Sequence, residues 1–324
     1  MYRSAVKVNS GHFSLLLLML LILSLSACAD PAQKARAKLD SMEVPYTGDG
    51  FIYKAAMGDA AAVQLFLTAG MDPNVKDNQG VSPLIAAAGA GRVEVVKLLL
   101  DQGADLNYQN QERITTRGKK RVKKKIKFGG TPLMHAAKGG HAEVVGLLLN
   151  KGADLNAMDA KHGLTALHWA VFHNQQAAMQ ALLDKGASPG LKDRRGFTPL
   201  LLAAHYAKPE IVGLLLDRTP PGEQDAARKT LLLVAAAAGR TDNARLLLDQ
   251  GADVNARSDT SQTPLMMAAK SGKKDTVKFL LEKGADADVR DQAGNRALEY
   301  AKSDDELMKL LFQAESNKPG PGKQ

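Results

Sequence analysis

The stretch "TPLMHAAKGGHAEVVGLLLNKGADLN", residues 131–156, decides the fold. Thr131 before Pro132 offers a hydroxyl cap, followed by a residue whose φ is already set for a first helical turn. The Ala136–Ala137 pair lets one such first helix approach another closely. The run of leucines that follows supplies the buried side of a second helix. Gly152, opening "GAD", suits the left-handed residue that ends a helix. A pair of short helices like this cannot bury its own apolar face, so it needs neighbours to stack against.

The neighbours are in the same chain. "SPLIAAAGAG" at 82, "TPLMHAAKGG" at 131, "TALHWAVFHN" at 165, "TPLLLAAHYA" at 198, "TLLLVAAAAG" at 230 and "TPLMMAAKSG" at 263 align without gaps. Their starts lie 49, 34, 33, 32 and 33 residues apart, and a degenerate copy, "RALEYAKSDD", begins 33 later at 296. An opening copy, "GFIYKAAMGD" at 50, lacks the Thr-Pro. Leu98–Leu100 and Leu246–Leu248 are the leucine runs of two other second helices. In period and in the skeleton T-P-L, A-A, G, L-L, G-A-D, N, the chain resembles the ankyrin repeat family over residues 49–314. The resemblance implies an all-α solenoid of about seven stacked helix-turn-helix repeats with β-hairpin fingers, the atypical first and last copies acting as caps. "DRTPPGEQDAARKT", residues 217–230, replaces the Gly-Ala-Asp loop and predicts a distorted finger. Residues 28–48 read as a tether and 315–324 as a disordered tail.

The N-terminus carries Arg3 and Lys7, then an apolar run from Phe13 to Leu25, then "LSAC". Thirteen residues at ~1.5 Å each fall short of a ~30 Å bilayer core, which predicts a secretory signal over residues 1–27. A small-residue pair followed by Cys resembles the bacterial lipobox, which implies cleavage before Cys28 and acylation there. Cys28 is the single cysteine, so no intramolecular disulfide forms. By the same resemblance, Ala29 rather than Asp after it implies the outer rather than the inner membrane, with the body facing the periplasm.

Catalytic signals are weak. "GASPG", Gly186–Gly190, matches the G-x-S-x-G nucleophile elbow, but that elbow needs a strand before it, and here it occupies the loop after a second helix. His168 and His173 lie about 140° apart round a helix and diverge, whereas zinc needs converging ligands. By the resemblance, His168 bonds neighbouring turn backbone. There is no phosphate-binding Gly loop and no isolated carboxylate pair. The reading is a non-enzyme with no cofactor and no metal.

What remains is surface. By the resemblance, partners bind the concave wall built from finger tips and the exposed sides of the first helices. Its candidates are Phe172 and His173 in one repeat, and Arg194, Arg195, Phe197, His205 and Tyr206 in the next, with Lys138, Lys161, His162 and Lys270 also on that side. Phe172, Phe197 and Tyr206 stand where the copies before and after carry Gly, Ala or Lys, and aromatics and Arg are enriched at binding hot spots. Trp169 occupies a slot that reads as core.

The chain holds 43 Lys and Arg against 34 Asp and Glu, a net +9. Residues 108–128 contain nine of those cations (Arg113, Arg117, Lys119, Lys120, Arg121, Lys123, Lys124, Lys125, Lys127) and one acid, Glu112, so the rest of the chain sums to +1. Asn107 and Thr131 are 24 apart where Asn74 and Ser82 are 8 apart, which makes this a 16-residue insertion in one finger. "ERITTR" and "RVKKKIKF" flank a "GKK" turn, and in the second arm Val122, Lys124, Ile126 and Phe128 alternate with Arg121, Lys123, Lys125 and Lys127, predicting an extended basic β-hairpin reaching roughly 25 Å beyond the other fingers. Three readings fit it: a solvated loop, attraction to anionic lipid or another polyanion, and docking onto an acidic partner protein. Nucleic acid is not expected for an exported chain. These readings combine into a monomeric, lipid-anchored envelope protein that binds another protein, as inhibitor or scaffold. The alternative is a structural envelope protein whose basic hairpin binds lipid or polyanion.

Overall fold

First helices begin as the Thr-Pro pattern predicts. The hydroxyl of Ser82 accepts from the Ile85 amide (3.2 Å), Thr131 from Met134 (3.3 Å), Thr165 from His168 (3.4 Å), Thr198 from Leu201 (3.2 Å) and Thr263 from Met266 (3.3 Å). Each bond satisfies an amide that the helix itself leaves unpaired. The computed structural model describes residues 30–110, 129–301 and 304–316. Its helices are α1 (Pro31–Ser41), α2 (Gly48–Met57), α3 (Ala60–Thr68), α4 (Pro83–Gly89), α5 (Val93–Asp101), α6 (Pro132–Gly139), α7 (Ala142–Asn150), α8 (Ala166–Phe172) and α9 (Gln176–Asp184). They continue with α10 (Pro199–Tyr206), α11 (Pro209–Asp217), α12 (Gln224–Ala238), α13 (Thr241–Asp249), α14 (Pro264–Lys270), α15 (Lys274–Glu282), α16 (Ala297–Tyr300) and α17 (Asp305–Ser316). No strand occurs among the described residues.

The chain packs as two units, one containing the described residues up to Ala87 with Glu94–Asp105, the other containing Ala88–Val93 and everything described from Leu106 on. In the first, α1 lies on α3 and α2 on α3. The segment read as a tether is therefore a built part of the fold. Asp30 caps α1, Pro31 starts it, and Ala35 and Leu39, four residues apart on one face, are buried. Arg36 and the Tyr46 hydroxyl both donate to the Ala69 carbonyl, and Tyr46 stacks on Phe66, which stacks in turn on Phe51. Covering Phe51 and Phe66 with α1 keeps an apolar face of the end repeat out of water. The sequence signal for it was Asp-Pro followed by apolar residues at helical spacing.

In the second unit, first helices α6, α8, α10, α12, α14 and α16 pack each on the next, and second helices pack alongside as α7 on α9 and as α11, α13, α15 and α17 in series. The alanine pairs sit at the contacts: Ala136, Ala137, Ala203, Ala204, Ala235 and Ala236 are fully buried. Two departures from the sequence pattern have physical causes. Thr230 does not cap a helix: without a following Pro, α12 runs back through it to Gln224, joined to a 3₁₀ turn over Pro221–Glu223, and its hydroxyl bonds the Ala226 carbonyl. The distorted finger expected at 217–230 is thus a helical extension. At the C-terminus α17 continues through Ser316, two residues past the boundary expected at 314.

The fingers are hairpin-like turns rather than paired strands, each organised by one residue. Asp77 Oδ1 accepts from the amides of Gln79 and Val81, Asp193 Oδ1 from those of Arg195 and Phe197, and Asp291 Oδ1 from those of Ala293 and Asn295, all at 2.8–2.9 Å. The same aspartate's amide donates to the carbonyl four residues on, as in Asp77 to Val81 (3.0 Å) and Asp193 to Phe197 (2.8 Å). Asn110 occupies this position in the interrupted finger. Its amide donates to the Gly130 carbonyl (3.3 Å), and its Oδ1 accepts from the Gly130 amide (2.8 Å). The insertion therefore leaves and re-enters a finger whose base is closed like the others. The extended hairpin assigned to 108–128 lies outside the described residues from 111 on, as do the signal segment, Cys28 and residues 317–324.

Candidate protein-binding face

The first helices present three slots to the inner side, four, seven and eight residues after the capping position. The third is small at Ala90, Gly139, Ala238 and Ser271, and the second at Gly89 and Ala237. Helices α6, α8 and α10 fill the set with His135 and Lys138; with Trp169, Phe172 and His173; and with Leu202, His205 and Tyr206. Stacking the helices through their alanine pairs brings the rings into one continuous ribbon. His135 meets Trp169 (centroids 5.6 Å), Trp169 meets His173 (6.5 Å), and His173 meets Phe172 edge-on (5.3 Å). Phe172 then meets Tyr206 (5.6 Å), Tyr206 meets His205 (4.1 Å), and His205 meets Phe197 edge-on (6.5 Å). Lys138 lies over the Trp169 ring at one end (5.5 Å) and Arg195 over Phe197 at the other (5.3 Å). Phe172 and Tyr206 are each 43% exposed, so two large rings face water in the middle of the ribbon.

The ribbon is held by its fingers. His168, fully buried, accepts from the Thr165 amide at Nδ1 (3.2 Å) and approaches the Phe197 carbonyl at Nε2 (3.1 Å). An Nδ1 that accepts fixes the neutral tautomer with Nε2–H donating, so His168 ties the start of α8 to the next repeat's finger. Burial pulls its pKa below the ordinary histidine value, partly opposed by the bond to Phe197. The Trp169 indole N–H donates to Asp159 Oδ2 (3.4 Å), whose other oxygen receives the Lys161 and His162 amides. The Arg194 amide donates to the His162 carbonyl (2.9 Å), joining the two finger tips.

The ribbon's imidazoles are neutral near pH 7. Burial first, and Lys138 second, push His135 down to about 4; the same two causes lower His173. Burial lowers His205 as well, with Arg240 and Arg195 adding repulsion. Beside the ribbon, His162, Leu164, Trp169, Phe172, His173, Arg195 and Leu202 line an open hollow of about 150 Å³.

Of the expected wall residues, Phe172, His173, Arg195, Phe197, His205 and Tyr206 come together in this one surface. Arg194 is exposed on the finger tip, its amide engaged and its ring-free side chain outside the ribbon. Trp169 is only 2% exposed, as its core reading requires, yet its edge forms a wall of the hollow. His135 was the member sequence reasoning passed over; the signal was its identity of slot with Trp169. The "GASPG" loop follows α9 with Gly186 left-handed, and Ser188 accepts from the Gly190 amide (3.3 Å), a turn and not an elbow. Among the described residues, no three His, Cys, Asp or Glu side chains converge as a metal site would need.

The family model for ankyrin repeats, described as three copies, matches residues 5–110, 112–193, 183–258 and 256–319. Among curated proteins, the chain is 33% identical to the ankyrin repeat protein YahD of Escherichia coli K12 over 188 residues, 51% of this chain and 94% of that one. It is 32% identical to human SH3 and multiple ankyrin repeat domains protein 1 over 48% of this chain but 5% of that protein. It is 38% identical to pig NF-kappa-B inhibitor alpha over 29% of this chain and 32% of that protein. The period, the capped helix pairs and the alanine-lined stacking are those of that family's repeats, which serve as non-catalytic protein-interaction modules. The chain belongs to the ankyrin repeat family.

Proposed function

We propose that this protein holds a protein partner in the bacterial cell envelope, docking it on the aromatic ribbon of α6, α8 and α10. The observation that carries the reading is the ribbon itself: rings in mutual contact across three adjacent repeats, with a cation over the ring at each end. Exposed aromatics beside an Arg are the composition of a binding hot spot rather than of a solvated face. The finger tips beside it carry Lys161, Lys192, Arg194 and Arg195, while their acids, Asp159 and Asp193, are buried and point inward onto turn amides. The nine cations of the insertion have the same sign, and would add to the attraction of an acidic partner.

The envelope address rests on the signal-like N-terminus and Cys28. Helix α1 begins at Pro31, so acylation at Cys28 would hold the N-terminal unit within about 10 Å of the lipid surface, at ~3.3–3.6 Å per residue. Metabolic labelling with a fatty acid tests it: label on the intact chain and none on Cys28→Ser supports the anchor, and equal label on both contradicts it. Inhibition is the role such a tethered binder would suit, and one relative bears the name of an inhibitor, though over only 29% of this chain.

The test of the docking reading is affinity capture from native envelope extract, with the wild-type protein beside Phe172→Ala/Tyr206→Ala. Both rings are half-exposed, so the fold should survive their loss. One protein retained near equimolar ratio by the wild type and lost with the double variant is the expected result. An identical set of proteins on both baits would refute it.

A further inference from the structure

We propose that the hollow beside Trp169 is a socket for a single aromatic side chain carried by an acidic polypeptide segment. This rests on the protein-docking reading above and names the chemistry of what docks. Size comes first: a cavity of about 150 Å³ lined by apolar side chains holds a benzene ring, and this hollow has about that volume. Its walls are apolar, formed by Leu164, Trp169, Phe172 and Leu202, and they are fixed. Trp169 is pinned by Asp159, Leu202 is buried, and Phe172 leans on Tyr206 and His173.

The rim adds polarity without acid. His162, His173 and Arg195 edge the opening, and Arg195 is held by Asp193 through Nε and Nη2, both at 3.3 Å, with over half of its side chain exposed. An aromatic ring entering between Trp169 and Phe172 would meet ring edges and faces at the separations aromatic pairs favour. The polypeptide on either side of that ring would then lie across Lys161, Lys192, Arg194 and Arg195. With both finger aspartates turned inward, carboxylates are the groups that complement this frame, and a basic segment would be repelled.

Trp169 is the chain's single tryptophan, so its emission reports on the hollow directly. The full chain would be titrated with the acetylated, amidated pentapeptide Glu-Asp-Phe-Asp-Glu, with the same peptide carrying Ala for Phe, and with one carrying Lys for every acid. A saturating change in Trp169 emission is expected with the first peptide, with affinity at least about tenfold lower for the Ala peptide, since the buried phenyl is lost. The Lys peptide should bind at least about tenfold more weakly at low salt, a gap that narrows as salt rises. Filling the hollow with Leu164→Phe should abolish the response; because that change could disturb the finger, Phe172→Ala, at an exposed position, should weaken it about tenfold.

No saturable response at millimolar peptide, equal binding of the Ala peptide, or equal binding of the Lys peptide would each overturn the socket. If the peptides fail while capture of a partner still depends on Phe172 and Tyr206, the socket falls and the docking face stands. If both fail, the docking face falls too.

Discussion

The repeat of α10 ends its first helix without the left-handed residue its neighbours use, Asn174 before it and Gly239 after it. Where α6 and α12 close on left-handed Gly140 and Gly239, α10 runs into "HYAKP", and Ala207 is extended. The substitute is Asn243 of α13, 1% exposed, whose Nδ2 lies 3.1 Å from the carbonyls of Ala204 and Ala207 and 3.4 Å from that of Ala203. The Ala204 carbonyl depends on it most, because the amide four residues on, Lys208, donates to Asn174 instead. Asn243→Ala removes two good hydrogen bonds at a net ~1 kcal/mol each and strands a buried carbonyl, a further cost of about 1–3 kcal/mol. Against this, Asn243 Oδ1 is buried without a partner among the described residues, and losing it returns on the order of 1 kcal/mol. The expected net cost is about 2–4 kcal/mol. Asn243→Asp keeps the shape but turns a carboxylate onto three carbonyl oxygens, so it should cost more, above ~4 kcal/mol. Urea unfolding followed by circular dichroism reads both, with slopes compared to confirm that the same transition is observed. An alanine variant within about 0.5 kcal/mol of wild type, or an aspartate variant no worse than alanine, would refute the capping role.

Acid should loosen the ribbon. His135 has a folded pKa of about 4 against an ordinary 6.5, so both states are neutral above pH ~6.5, and below it the unfolded chain takes the proton first. Its contribution is complete above pH ~6.5 and is lost as pH falls toward 4, about 3 kcal/mol over that window. His135→Leu, which imports the residue of the same slot in α10, should flatten the fall in stability between pH 7.5 and 4.5; an unchanged slope would count against it. The loop asparagine of two "GADxN" loops bonds the next loop's backbone, Asn107 Oδ1 accepting from the Asp154 amide at 3.0 Å and Asn255 Oδ1 from the Asp286 amide at 2.8 Å. Asn255→Ala should cost about 1 kcal/mol in urea unfolding, and no cost would show the bond to be incidental.

Most of the fold was legible because every repeat spends residues on the same tasks. Thr-Pro caps, alanine pairs and left-handed glycines report helix starts, contacts and ends directly. What the period concealed is what deviates from it. Asn243 reads as one more polar residue on a second helix, and only the missing glycine 36 residues earlier hints at its task. Helix α1 was hidden because it belongs to no repeat and lacks the repeat's markers. The candidate wall was legible as a list, since Phe172, Phe197 and Tyr206 break a run of small residues. Its continuity was not: the ring-to-ring contacts depend on how far one helix is offset from the next, which the alanine pairs permit but do not specify. Trp169 shows the limit best, since a slot that is only half-buried at Ala86, His135, Val234 and Met267 becomes both core and wall when the side chain is large enough to reach the hollow.

The most direct test places a photo-reactive p-benzoylphenylalanine at position 172 of the full chain in living cells, with the same group at exposed Glu143 on α7 as a control. Irradiation should give one dominant adduct with an acidic envelope protein from position 172 and none from position 143. No adduct at 172, or the same adduct from both positions, would contradict the assignment of the ribbon as the docking face.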